Sequence, residues 1–143
     1  MMKRILVSVG LTLAALSAYS ANAGDPAKNV LVTPVLTTSV TSSGQAIVLP
    51  SKDSTVIVST YEIAKGATLP EHKHPYPRYA YVLAGEIRVT NTDAGKSETY
   101  KAGDFIIEAI GQWHHAENVG DGPVKLLVID QVAGAGGNVI LQQ

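Results

Sequence analysis

The chain has 143 residues, a formal net charge of −1 and no cysteine. That length suits one domain. The weak charge leaves no basic surface for a nucleic-acid backbone, and the lack of cysteine excludes disulfides and thiolate metal ligands. The first residues read MMKRILVSVGLTLAALSAYSANAGDP. Lys3 and Arg4 make a basic start, and Ile5 to Tyr19 is an uncharged apolar run, shorter than the ~20 residues a membrane-spanning helix needs. Ala21-Asn22-Ala23 matches a small-x-small cleavage pattern. A secretory signal peptide is therefore expected over residues 1–23, with a periplasmic or secreted mature protein and no stable membrane insertion after cleavage.

Residues 24–29 are polar and read as a flexible start. From Val30 onward Val, Ile, Thr and Leu dominate, in short runs cut by Gly, Pro, Asn or Asp, a β pattern with no helical period. Val30 to Val40 contains Pro34, which cannot donate to a ladder, so it reads as an edge strand or two short pieces. Gly44 to Leu49 reads as a short strand closed by Pro50. Thr55 to Ala64 is a strand, Lys65-Gly66 a turn, and Thr68 to His74 a second strand broken by Pro75 and Pro77. Arg78 to Ala84 and Glu86 to Thr90 follow. Asn91 to Lys96 is a hairpin turn by composition, and Ser97 to Lys101 returns. Phe105 to Glu108, Trp113 to Asn118 and Val124 to Val132 complete the pattern. Gly134 to Gly137 is a flexible tail, and Asn138 to Leu141 offers a terminal edge strand. Frequent turns between short strands point to an antiparallel sandwich or barrel.

All four histidines fall in two places: His72 and His74, and His114 and His115. Residues i and i+2 of a strand share a face, so His72 and His74 project together. Neutral imidazole is the commonest protein metal ligand, which predicts that histidines from the two places meet inside the barrel around a metal ion. His115 faces away from its neighbour and reads as a surface or supporting residue.

Two spaced motifs carry a family resemblance. Gly66, five residues, His72-x-His74, three residues, position 78, six residues and Gly85 form the first. Gly103, five residues, position 109, one residue, Gly111, two residues, His114, three residues and Asn118 form the second. Together they resemble the paired motifs of the cupin superfamily, and the likeness extends over residues 30–132. The resemblance implies an all-β fold, a single-domain cupin jelly-roll barrel (an antiparallel double-stranded β-helix), followed by a Gly-rich tail over 133–143. It also implies His72, His74 and His114 as ligands of a divalent transition metal: Fe, Mn, Zn, Ni or Cu. There are two departures. Position 109 is Ala where the family usually has Pro. Position 78, where metal-binding cupins usually place a Glu ligand, is Arg78, which has no lone pair to give.

Three readings of Arg78 stand side by side. It turns away and pairs with a carboxylate such as Glu71, Glu86 or Glu108; it holds an anionic substrate bidentately; or it fills the metal's place. A three-His site is itself chemically sound, as in carbonic anhydrase. Tyr76, in the Pro-flanked loop, is expected at the pocket mouth as a substrate contact. Tyr79 and Tyr81 are expected to pack on the opposite face from Arg78, and Trp113 between the sheets. The implied function is a metal-dependent small-molecule dioxygenase, isomerase or decarboxylase. The alternative is a ligand- or metal-binding module without turnover. Glu62 and Glu108 are the candidate acid–base groups, both weak. The expected partners are a small-molecule ligand and a second copy of the chain, pairing through the apolar Val30–Val40 edge.

Overall fold

The computed structural model describes residues 30–143; the signal peptide and flexible start read over 1–29 lie outside the described residues. Nine strands follow in order: β1 (Ser54–Ile63), β2 (Thr68–Lys73), β3 (Arg78–Ala84), β4 (Glu86–Asn91), β5 (Lys96–Lys101), β6 (Phe105–Ile107), β7 (His114–Asn118), β8 (Val124–Ala133) and β9 (Ile140–Leu141). They form two sheets, ordered β1-β8-β3-β6 and β5-β4-β7-β2-β9. All strand ladders are antiparallel. This is the jelly-roll barrel.

Strand alternation sorts the side chains. Ile63, Ala80, Val82, Ile87, Ile106, Ala116, Val124, Leu126 and Val128 face inward as one core. Each buried Val, Ile or Leu stabilises the fold by about 1.5–3 kcal/mol. The residues between them face out: Tyr79 and Tyr81 flank Phe105 on the outer surface, at 6.4 Å between ring centroids in each case. β1 and β8 pair without a break from Ser54↔Ala133 to Ile63↔Val124.

Two expected strands do not form. Val30 to Val40 and Gly44 to Leu49 contribute one isolated bridge, Val40↔Ala46. Val35, Leu36, Val48 and Leu49 stay exposed. Pro34 interrupts the first run and the second meets no neighbouring strand, so β-branched composition has no ladder to join. The edge on which a homodimer was expected to pair is thus not built by Val30 to Val40. What residues 42 and 45 supply instead is hydrogen bonding at and just beyond β6: Ser42 N–H donates to Ile107 O at 2.8 Å. The Gln45 side chain donates to Ile110 O at 2.8 Å and accepts from Ile110 N–H at 2.9 Å.

Gly85, the last residue of the first motif, joins β3 to β4 with φ +82°, and a Cβ there would meet Pro123 O at 2.7 Å and Val124 Cα at 2.9 Å. Both obstacles are backbone, so they cannot swing aside. Gly85→Ala is expected to lower stability by about 2–3 kcal/mol, from positive-φ strain plus overpacking. Gly95→Ala, at φ +62° with nothing within 4 Å, carries the strain alone. Urea unfolding of both should rank them in that order, and equal losses would refute the close-approach argument.

Candidate metal centre

His72 and His114 are direct partners in the β2–β7 ladder. His74 follows β2 and bridges Ile110. The ring centroids lie 4.9 Å (His72–His74), 4.4 Å (His72–His114) and 4.8 Å (His74–His114) apart. His74 and His114 are fully buried, and His72 nearly so. The three rings predicted to meet do meet, inside the barrel.

Local backbone aims them. The β2–β7 register shifts between Leu69 and His72. Pro70 sits in this bulge and has no N–H to give a ladder. Its carbonyl accepts from His72 Nδ1 at 2.7 Å. His114 repeats the arrangement two residues back, its Nδ1 bonding Gln112 O at 2.9 Å. His74 Nδ1 bonds Asn138 O at 2.6 Å. A carbonyl only accepts, so each Nδ1 carries hydrogen and each Nε2 is the nitrogen left to face inward.

The fourth member is Glu108. Its Oε2 lies 2.8 Å from His74 Nε2 and 3.1 Å from His114 Nε2. The donor atoms of His72, His74, Glu108 and His114 all lie within 4.8 Å of one another. Two Nε2 lone pairs against one carboxylate oxygen would set acceptor against acceptor. The arrangement calls for positive charge between them, either protons on the rings or a metal ion. Three imidazole nitrogens and one carboxylate oxygen form a donor set suited to a divalent transition metal.

Glu108 was read from sequence only as a weak acid–base candidate or a partner for Arg78, and the ladder explains its place. β3 and β6 pair Tyr79↔Ile107, and Glu108 N–H donates to Arg78 O at 3.0 Å. Positions 78 and 108 are cross-strand neighbours on the inner face. The carboxylate missing at position 78 stands one strand over.

Arg78 adopts a form of the first of its three readings. It is buried, but its partner is Asp130 on β8, not Glu71, Glu86 or Glu108: Nε–Oδ1 is 2.7 Å and Nη2–Oδ2 is 2.9 Å. The Nε and Nη2 side of the fork is engaged by the protein's own carboxylate, while Arg78 also lines the small space beside His72, Glu108 and His114. Tyr76 does not line the histidine pocket. It borders a separate surface cavity of about 370 Å³ with Gln45, Pro75, Pro77 and Ile110, because Pro75 and Pro77 turn the loop outward. His115 points to the other face, its Nδ1 2.8 Å from Glu71 Oε2. Trp113 is half-buried with Lys73 Nζ 4.4 Å from its ring centroid, a cation–π contact in place of the expected packing between sheets.

The electrostatics favour a neutral His72 and a positive charge shared between His114 and Glu108. Burial pushes His72 below its ordinary value, only partly offset by the Pro70 carbonyl, which favours the neutral ligand form. Burial also opposes charge on His114, but the Glu108 hydrogen bond and charge prevail and raise it. Burial alone would raise Glu108; bonds from His114 and His74 outweigh that and hold it well below the usual carboxylate range. The enclosed space beside the cluster, walled by Tyr61, Leu69, Val89, Ile106 and Leu126, amounts to about 20 Å³, room for one water-sized molecule.

The family model described as a cupin domain matches residues 59–130. Comparison with curated protein sequences finds no match. Among solved structures, the chain is similar to the cupin domain of Schizosaccharomyces pombe Cnp3 (21% identity, TM-score 0.50, 59% of this chain and 61% of that one). It is similar to a Bacillus halodurans protein (22%, TM-score 0.52, 62% and 70%). It is also similar to a DMSP lyase of Ruegeria pomeroyi (23%, TM-score 0.53, 64% and 44%). The chain thus spans under two thirds of the fission-yeast and lyase chains. At these identities the likeness is one of fold, shared by proteins of different roles.

Proposed function

This chain belongs to the cupin domain family, and we propose that it holds one divalent transition metal through His72, His74, His114 and Glu108 and turns over a small organic molecule there. One observation carries the reading: three Nδ1–H groups bonded to backbone carbonyls leave three Nε2 atoms as donors, two of them against Glu108 Oε2, and the donor atoms of all four residues lie within 4.8 Å of one another. Mature protein in the periplasm or outside the cell is part of the proposal, resting on the signal-like residues 1–23.

A bound metal supplies Lewis acidity or redox chemistry. The chain's own residues do the rest. The three carbonyl-anchored imidazoles hold their lone pairs in place, so little reorganisation accompanies binding. Glu108 adds the negative charge that three neutral rings lack. The apolar wall excludes bulk water and strengthens electrostatics inside. Arg78 and Asp130 compensate each other, so no unpaired cation opposes the metal. Dioxygenase, isomerase and decarboxylase reactions are the candidates the fold resemblance offers, and each needs the space beside the cluster to widen for its substrate. The about 20 Å³ of enclosed space favours a second reading, a small-ligand or metal-binding module without turnover.

Elemental analysis of protein purified from its native compartment tests the site. About one metal per chain is expected, and none in the His72/His74/His114 triple alanine variant; a metal-free native protein would end the proposal. Oxygen uptake or substrate loss abolished by His114→Ala selects the enzyme. Binding without consumption selects the module. Saturating the apoprotein with Zn²⁺ at one hundred times Kd should stabilise it by about 2.7 kcal/mol.

A further inference from the structure

The tail after β8 reaches back to the candidate metal centre. Gly134 turns the chain at φ +70°, and Asn138 then becomes almost fully buried at 4% exposure. Its side chain accepts from Tyr76 N–H at 2.9 Å and donates to Asp130 Oδ1 at 2.6 Å and Tyr76 O at 3.1 Å. Those bonds fix the position of its carbonyl, which accepts from His74 Nδ1. Beyond it, β9 pairs with β2 at His72↔Leu141 and Lys73↔Ile140. Gln142 N–H donates to Glu71 O at 3.0 Å. Both histidines of the His-x-His pair are therefore held from the tail.

Apolar burial contributes little to this docking: Ile140 and Leu141 are 44% and 58% exposed. A segment held by a few polar bonds, behind glycines at 134, 136 and 137, belongs to the least stable part of a fold and opens locally first. When it opens, buried His74 loses the acceptor that sets its tautomer and ring orientation. A metal ligand's outer hydrogen-bond partner matters for that reason.

We propose that Asn138 is a positioning residue for His74, and that tail docking and metal binding at the His72/His74/His114/Glu108 centre favour each other. The proposal rests on the metal-site reading above. Coupling of this kind is reciprocal: the factor by which a docked tail tightens the metal is the factor by which the metal favours docking. Asn138 acts through its backbone carbonyl, so Asn138→Ala keeps the acceptor but removes the bonds that place it.

The test uses full-length protein and two readouts. In competition with a chromophoric chelator, Asn138→Ala is expected to bind Zn²⁺ about 10–100-fold more weakly than wild type. With Co²⁺, its visible bands should move, a change that loss of general stability would not produce. Should the variant misfold, the wild-type chain suffices. Trimming of its C-terminus by a serine carboxypeptidase should slow about 10–100-fold at saturating Zn²⁺, following the population of the open tail. Zinc bound equally by both proteins with unmoved bands, or wild-type trimming indifferent to zinc, overturns the proposal while leaving the metal centre standing. Wild-type protein that binds no zinc overturns the centre and the tail coupling together.

Discussion

Asp130→Ala is expected to remove about 3–5 kcal/mol of stability, a large share of the 5–15 kcal/mol typical of a domain. Arg78 and Asp130 are both about 5% exposed and joined by two bonds of 2.7 and 2.9 Å. The guanidinium stays charged at any accessible pH. Without Asp130 it would be a buried cation stripped of its hydrogen-bonded carboxylate, with only Glu108 nearby and that carboxylate already bonded to His74 and His114, and Asn138 Nδ2 would lose its 2.6 Å acceptor as well. The net worth of the intact pair is a separate matter, since both charges lose their hydration on burial. Replacing both residues, as Arg78→Met with Asp130→Leu, should therefore be less damaging than Asp130→Ala alone. Urea unfolding of the single and double variants measures this. A single-variant loss under about 1 kcal/mol, or a double variant worse than the single, would contradict the account.

Glu108→Gln should weaken divalent-metal binding by a hundredfold or more, on the order of 3 kcal/mol, and change how the apoprotein responds to pH. Glu108 is held below its ordinary 4.5, so its stabilisation is present above pH 4.5 and lost as pH falls through the folded value. His114 is held above its ordinary 6.5, so its stabilisation is full below pH 6.5 and lost as pH rises through the folded value. The pair therefore contributes fully to the apoprotein between pH 4.5 and 6.5. The metal-loaded protein behaves oppositely on the alkaline side, because protons compete with the metal for the imidazoles and its stabilisation grows as pH rises. Thermal unfolding with and without Zn²⁺ should show the two curves diverging above pH 6.5. In Glu108→Gln the divergence should shrink and the apoprotein should lose the pair's contribution between pH 4.5 and 6.5, leaving the opposing effect of His72, whose depressed value costs stability below pH 6.5. A variant that binds zinc as tightly as wild type would remove Glu108 from the ligand set.

Much of this was legible along the chain. β1 through β8 fall where alternating β-branched runs between Gly and Pro breakers place them, within a residue or so, because each of those segments has a partner to complete its ladder. Val30 to Val40 and Gly44 to Leu49 have the same composition but meet only each other, at Val40↔Ala46, join neither sheet, and remain loops. Composition reports willingness to pair, while pairing needs a neighbour. The His-x-His spacing alone put two rings on one face, and the second motif identified His114 over His115 by the parity of the strand.

The sequence by itself determined β1 to β8 and the shared face of His72 and His74, because those depend on periods of two and on turns a few residues long; His114 came from the second motif's family resemblance. Only the tertiary structure decided which carboxylate meets the rings, what neutralises Arg78 and what holds His74. Glu108, Asp130 and Asn138 reach their partners across 34, 52 and 64 residues of chain, through strand registers set by the packing of whole sheets. Position 78 holds Arg where the family usually has a carboxylate, and Glu108, its neighbour across one ladder, brings a carboxylate to the rings.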